Sequence, residues 1–296
     1  MKPPRFAYHD PRGVDEALAL LAEHGDEGKV LAGGQSLVPL LNFRLAHPDH
    51  LIDLNRIGAL AGIRRADGKL RIKAMTRQST LEASALVREN WPLITDALGF
   101  VAHAQIRNRG TVGGSVAHAD PAAELPVVFT VLDASVRVAS TRGERTIASS
   151  DLFVTHLTTT IEPDEMLVEI EVPPVAPGTG HAFTEFARRH GDFALGGAAA
   201  LVTVDEEGVC RRAALGLLAA APTPVRAPEA EQMLVGERID EAAAARAAKL
   251  AVADIQPTGD IHGSAEYRKD LVEVMARRAI VAAVERAGNG AGARGG

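Results

Sequence analysis

The chain has 296 residues, 46% hydrophobic, 24% charged and only 4% aromatic, with a formal net charge of −6. That length suits roughly two domains, and the mild acidity argues against a nucleic-acid partner, because phosphate contacts need clustered Lys and Arg. The single cysteine, Cys210, excludes an internal disulfide, a cysteine-based zinc site and a four-cysteine iron–sulfur cluster carried by this chain alone.

In chain order, the first residues, MKPPRFAYHD, lack the apolar core of a secretory signal. No run approaches the ~20 apolar residues of a membrane span, so a cytoplasmic location is expected. Residues 6–10 suit a short strand, and apolar positions Val14, Ala17, Leu18, Leu21 and Ala22 mark one helical face. KVLAGG (29–34) reads as a strand ending in glycines. A helix over 36–46 follows, with Ser36 as N-cap, and HLIDL (50–54) reads as a second strand. Strands are expected at 70–75, 135–140 and 165–173, and helical segments at 79–84 and 89–102. Residues 106–121 are turn-rich with no clear period. Asp120-Pro121 suits the start of a helix running to about Leu132. VPPVAPGTG (172–180) reads as a linker. Beyond it, strands are expected at 183–189, 196–204 and 210–219, then helices at 227–234, 239–255 and 264–287. The glycine-rich end, 288–296, reads as a flexible tail.

Two glycine turns share a chemistry. Ala32-Gly33-Gly34-Gln35-Ser36 lies between a strand and a helix. Paired glycines let backbone approach a ligand, several N–H groups can face one anion, and the helix start adds partial positive charge. Gly110-Thr111-Val112-Gly113-Gly114-Ser115 repeats the pattern, with Glu124 beyond it. Two such loops suit opposite sides of an extended dinucleotide, but they also suit two unrelated turns. The G-x-G-x-x-G fingerprint is absent after the first strand, and Lys29 precedes the glycines rather than following them. A Rossmann site and a P-loop are therefore unsupported.

LAGGQSLVPLLNFRLAHPDHLIDLNRI (31–57) and QIRNRGTVGGSVAHADPAAELP (105–126) together resemble the FAD-binding subunit of molybdenum-containing hydroxylases, the family of the carbon monoxide dehydrogenase medium chain and the xanthine dehydrogenases. RRHGDFALGGAA (188–199) and DIHGSAEYRKDLVEVMARRAI (260–280) extend the resemblance over nearly the whole chain, in order. It implies an α+β fold. A two-subdomain FAD-binding domain of the PCMH type spans 1–176, divided near 55, and a smaller C-terminal domain with antiparallel sheet and helices spans 177–287. It implies FAD held by Ala32, Gly33, Gly34, Gln35 and Ser36, with Val30, Leu31 and Leu37 beside them. Thr111, Val112, Gly113, Gly114 and Ser115 form the second loop, and Val101, Glu124 and Leu167 add contacts. Asp192 and Phe193 match positions near the isoalloxazine ring, although Phe193 suits a core aromatic equally well.

The resemblance further implies partners: a small subunit with [2Fe–2S] clusters and a large subunit with the molybdenum cofactor, assembled as a dimer of heterotrimers. This chain would pass electrons through FAD to an external acceptor. Departures are Ser115 for a common Asn or Asp, Glu124 for the usual Asp, and Thr184 where xanthine dehydrogenases carry a lysine near the flavin. The lone Cys210 reads as a buried apolar residue and excludes relatives that hold an extra cluster on this subunit. Arg107 and Arg109 flank the second loop and suit a phosphate, a partner protein or plain solvent. The ten histidines show no metal-ligand spacing, and no Ser–His–Asp or paired-carboxylate set is evident, so no catalytic residue or metal ligand is assigned. A stand-alone FAD oxidase and a flavin-free interaction protein remain as alternatives.

Overall fold

The computed structural model describes residues 2–292. The first unit holds β1 (Ala7–His9), α1 (Val14–His24), β2 (Gly28–Leu31), α2 (Leu37–Asn42) and β3 (His50–Asp53). Its strands form a parallel sheet in the order β1-β3-β2. Ala17, Leu18 and Leu21 recur on one face of α1 and pack with Ile52 beneath it. The helix expected over 36–46 stops at Asn42, and Arg44, at φ 57°, turns the chain out of helical geometry.

The second unit contains β4 (Ile63–Ala66), β5 (Lys69–Lys73), α3 (Gln78–Glu82), α4 (Ala85–Asn90), α5 (Pro92–Leu98), α6 (Ala104–Arg107), α7 (Val112–His118) and α8 (Glu124–Val131). It continues with β6 (Ser135–Ser140), β7 (Gly143–Ala148), α9 (Ser149–Leu152), β8 (Phe153–Thr155), β9 (Thr158–Thr159) and β10 (Met166–Val172). An antiparallel sheet runs β4-β5-β10-β6-β7. Leu70, Ile72, Val136, Val138 and Ile170 share one core with Leu93, Ile94, Leu98, Leu125 and Val128. Trp91 is buried, and its Nε1–H donates to the Pro173 carbonyl at 2.7 Å, which anchors the proline-rich connector.

Two expectations fail here. Residues 106–121, expected to be turns, hold the second half of α6 and all of α7. Gly113 and Gly114 mask the helical period, but Thr111 caps α7 with its side chain, and Gly113 lets the helix lie against Ala74. Asp120 does not start a helix at Pro121. Its Oδ1 accepts from the Ala122 N–H at 2.8 Å, closing a local turn, and α8 begins at Glu124.

The third unit comprises β11 (Thr179–Phe186), β12 (Gly196–Val204), β13 (Cys210–Leu218), β14 (Val225–Arg226), α10 (Pro228–Leu234), α11 (Glu241–Ala251) and α12 (Ala265–Gly292). The strands form an antiparallel sheet in that order. β12 is apolar from Gly196 to Val202 because both of its faces are covered there. Ala199 and Leu201 join the core of the second unit, while Ala198, Ala200 and Val202 pack under the helices. Gly180 lets α12 lie on β11, since a Cβ there would overlap the Ala283 carbonyl. Cys210 is buried in this core, as expected. Of the expected tail, 288–292 continue α12, and 293–296 lie outside the described residues.

Candidate functional site

The first glycine loop joins the end of β2 to α2. Gly34 has φ 75°, where an L side chain is strained, and Gly33 has no room for a side chain at all. The Gln35 amide donates to the Gly33 carbonyl at 2.9 Å and closes the loop. Ser36 stands at the N-cap position of α2, but its hydroxyl caps nothing. No hydrogen bond among the described residues uses the N–H groups of Gly33, Gly34, Gln35 or Ser36. Four free donors in one short loop suit an anion. Val30, Leu31 and Leu37 flank the loop and are half-buried.

The second loop is pinned rather than free. The N–H of Val112 donates to Thr76 at 2.9 Å and that of Gly113 to Ala74 at 2.8 Å. Thr111 Oγ1 accepts from Gly114 N–H at 3.1 Å, and Ser115 N–H bonds back to Thr111. The two loops touch. A Cβ on Gly33 would lie 2.8 Å from Gly110 Cα and nearer still to the Arg109 carbonyl, and one on Gly114 would meet Ala32 at 3.4 Å. They therefore stand side by side, where the sequence suggested opposite sides of a ligand.

A polar network that the sequence reading missed holds this contact. Arg77 donates to Asn55 Oδ1 at 2.6 Å and to the Arg109 carbonyl, while Asn55 Nδ2 donates to the Ala32 carbonyl at 2.8 Å. Asp53 accepts from Tyr8 at 2.6 Å and from the Asn55 N–H at 2.8 Å. Burial works against the Asp53 carboxylate, but these bonds hold it below its ordinary value. Arg77 sits in no motif, and Asn55 lies in the 31–57 segment without any residue pattern that marks its role, so only their proximity in space exposes it. Arg107 is committed to Glu82 at 2.8 Å and to the Val101 carbonyl at 2.8 Å, which removes it as a free phosphate ligand.

The third unit supplies a wall. Gly191, at φ 88°, packs against the His103 ring, so the β11–β12 loop leans on the entry to α6. Arg188 pairs with Asp192 at 3.3 Å, and Arg268 ties Asp260 at 2.7 Å to the Leu195 carbonyl at 3.4 Å. Phe193 is 74% exposed, which rules out the core-aromatic reading. Thr184 turns away from the loops and donates to the Met275 carbonyl at 2.8 Å. Because strand side chains alternate, it is Glu185 that faces the second unit. Burial pushes the Glu185 carboxyl up to about 8, helped by the nearby Glu124, and burial pushes Glu124 up to about 7. Glu185 Oε2 is buried without a partner. No spacing in the chain marks this carboxylate pair, since its members lie 61 residues apart and in different units (185 − 124). Val101 and Leu167 are buried in the core that also contains Val112 of the second loop.

This architecture, with an anion-ready loop locked to a second glycine loop beneath a closing wall, is that of a dinucleotide-binding protein. Residues 4–175 match the family described as FAD binding domain in molybdopterin dehydrogenase, and 181–283 match the CO dehydrogenase flavoprotein C-terminal domain. The chain is 48% identical to the 6-hydroxypseudooxynicotine dehydrogenase complex subunit alpha of Paenarthrobacter nicotinovorans, over 97% of each chain. It is 39% identical to the carbon monoxide dehydrogenase medium chain of Afipia carboxidovorans, over 98% of this chain and 100% of the other. The solved carbon monoxide dehydrogenase of Hydrogenophaga pseudoflava superposes with a TM-score of 0.94 at 39% identity, over 97% of this chain and 99% of that one. The chain belongs to the FAD-binding subunits of the molybdenum hydroxylase family. It is an oxidoreductase component, and its cofactor is FAD. No described helix is long and apolar enough to cross a membrane.

Proposed function

We propose that this chain is the electron-transfer subunit of a molybdenum hydroxylase complex, working in the cytoplasm. It takes electrons from the [2Fe–2S] clusters of a small subunit, which are reduced by the molybdenum cofactor of a large subunit, and delivers them to an external acceptor. The assembly is a dimer of heterotrimers. The names of the relatives, a subunit alpha and a medium chain, support a multi-subunit setting.

Domain 1–176 carries the two glycine loops, and domain 177–287 closes over them. Gly33 to Ser36 supply the free N–H groups for the diphosphate, with Ala32, Val30, Leu31 and Leu37 framing them. Thr111 to Ser115 form the floor beside that cradle, braced by Arg77 and Asn55. FAD, when bound, supplies the redox chemistry, and the protein supplies binding, orientation and electrostatics. The exposed ring of Phe193, positioned by Asp192 and Gly191, offers an apolar face to the flavin ring. Glu185 keeps a proton at neutral pH, so its carboxyl can donate to a polar ring atom, and Glu124 assists from the second unit. Val101 and Leu167 add apolar contacts to the cofactor from the core beside the second loop.

The observation that carries this reading is the direct contact of the two glycine loops beside four unused N–H groups. Absorption spectra of the purified chain supplied with FAD test it. One flavin per chain is expected for the wild type and none for Gly33→Val, whose added methyls meet the Arg109–Gly110 backbone. Because that clash also strains the loop contact, circular dichroism should accompany the measurement to separate lost binding from lost fold. A wild-type chain that takes up no flavin overturns the reading. For the assembly, co-purification with a cysteine-rich small chain and a molybdenum-containing large chain is expected. Turnover by this chain alone would point instead to a stand-alone oxidase.

A further inference from the structure

At the far end of the parallel sheet from the first glycine loop, three histidines from separate elements converge. His9 ends β1, His24 ends α1 and His50 begins β3. Each offers one ring nitrogen, and these three atoms all lie within 4.8 Å of one another. His9 Nε2 and His50 Nδ1 are 3.0 Å apart. The His24 and His50 rings stack with centroids 3.6 Å apart and planes 9° apart. Strand alternation explains the sidedness. Tyr8 and Asp53 meet on the face toward the glycine loops, whereas His9 and His50 point to the opposite face, under α1. Sequence spacing could not show this, because the ligands are separated by 14 and 25 intervening residues (24 − 9 − 1 and 50 − 24 − 1).

We propose that His9, His24 and His50 form a binding site for a divalent first-row cation, with zinc as the expected occupant. The donor set decides the class. Three imidazoles without a carboxylate suit Zn²⁺, and Cu²⁺ or Ni²⁺ by the same chemistry, but not Mg²⁺ or Ca²⁺, which require oxygen ligands. Tetrahedral zinc with Zn–N bonds of ~2.0–2.1 Å needs nitrogens ~3.3 Å apart, between the 3.0 Å contact already formed and the 4.8 Å limit of the set. Because an imidazole binds a metal in its own ring plane, the stacked His24 and His50 rings must also turn out of parallel for both to reach one ion. Among the described residues, the His9–His50 contact is the only hydrogen bond these rings make, so their lone pairs are not engaged elsewhere. All three residues are half-buried, which leaves a fourth position open to water. The bound ion joins β1, the end of α1 and the start of β3. It clamps the small lobe whose other end carries the diphosphate loop, and it stabilises the folded state by binding it selectively. The site lies apart from the flavin cleft and serves no step of the electron path.

The test uses the full-length chain with its FAD. Zn²⁺ is added and removed by dialysis, bound metal is counted, and the thermal midpoint is read. Co²⁺ then serves as a spectroscopic substitute. One metal per chain, a higher midpoint and the visible absorption of tetrahedral cobalt are expected. His24→Gln and His50→Ala should each weaken binding by more than the ~10–100-fold that loss of an outer-shell partner costs, with the flavin spectrum and circular dichroism intact. Failure of the wild type to hold one metal per chain overturns the proposal, and so does variant binding as tight as wild type. If His50→Ala does not fold, His24→Gln at the end of α1 decides.

Discussion

The two glycine loops have the same letters, Gly-Gly followed by Gln-Ser in one and by Ser in the other, but different physics. In the first, Gly34 is needed for its φ of 75° and Gly33 for its contact with the second loop, while the N–H groups stay unused. In the second, Gly113 is needed to seat α7 on Ala74, and the N–H groups of Val112, Gly113 and Gly114 are all spent on protein acceptors. One loop is kept open for a ligand, and the other is a floor built into the core. The neighbouring carboxyl groups differ in the same sense. Asp53, below the first loop, is held charged by Tyr8 and Asn55, whereas Glu124, beyond the second, is pushed up to about 7 by burial. The lesson is that a shared motif does not imply a shared cost of substitution.

Gly113→Val should have the largest effect. Its Cβ would fall 2.6 Å from Ala74 Cβ in packed backbone, so we expect a loss of about 3 kcal/mol or more of stability. Chemical denaturation should show a much lower midpoint even without flavin. If Gly113→Val instead folds normally and loses only FAD, the distinction between cradle and floor collapses. Arg77→Met comes next, because it cuts the bridge between the loops while leaving both in place. The loss of its bonds to Asn55 and the Arg109 carbonyl should cost about 1–2 kcal/mol, and FAD titration should show binding weakened about tenfold. Unchanged affinity would mean that the loops hold their register without it.

The smallest effect is a pH signature. Glu124 has a folded value of about 7 against an ordinary 4.5, so the folded state retains its proton where the unfolded state has lost it. Its contribution is therefore fully present below about 4.5 and is lost as pH rises through 7. Glu124→Gln should raise the melting temperature of the flavin-free chain at pH 8 and leave it unchanged at pH 4. Asp53→Asn should behave oppositely, because a carboxylate held below its ordinary value stabilises at neutral pH and loses that contribution as pH falls. A Glu124→Gln chain with a wild-type melting profile at pH 8 would show that the carboxyl is solvated.

By itself the sequence determined the family. The strands of the third unit fall close to their expected places because most of β12 and the part of β13 from Ala213 onward are apolar runs with one plausible conformation. The 28-residue α12 was legible because its period persists over many turns, and four motifs in order carried the family. Short elements were not legible. α6 and α7 hide behind glycines, and the capped start of α8 moved because Asp120 satisfies a nearer N–H. Tertiary structure alone decided that the loops touch, that Arg77 and Asn55 lock them, that Glu185 rather than Thr184 faces Glu124, and that His9, His24 and His50 meet. Each of these depends on which side of a strand a residue faces and on what packs across from it. Local sequence encodes a side chain's chemistry and its period, but its partner is fixed only when distant elements close around one core.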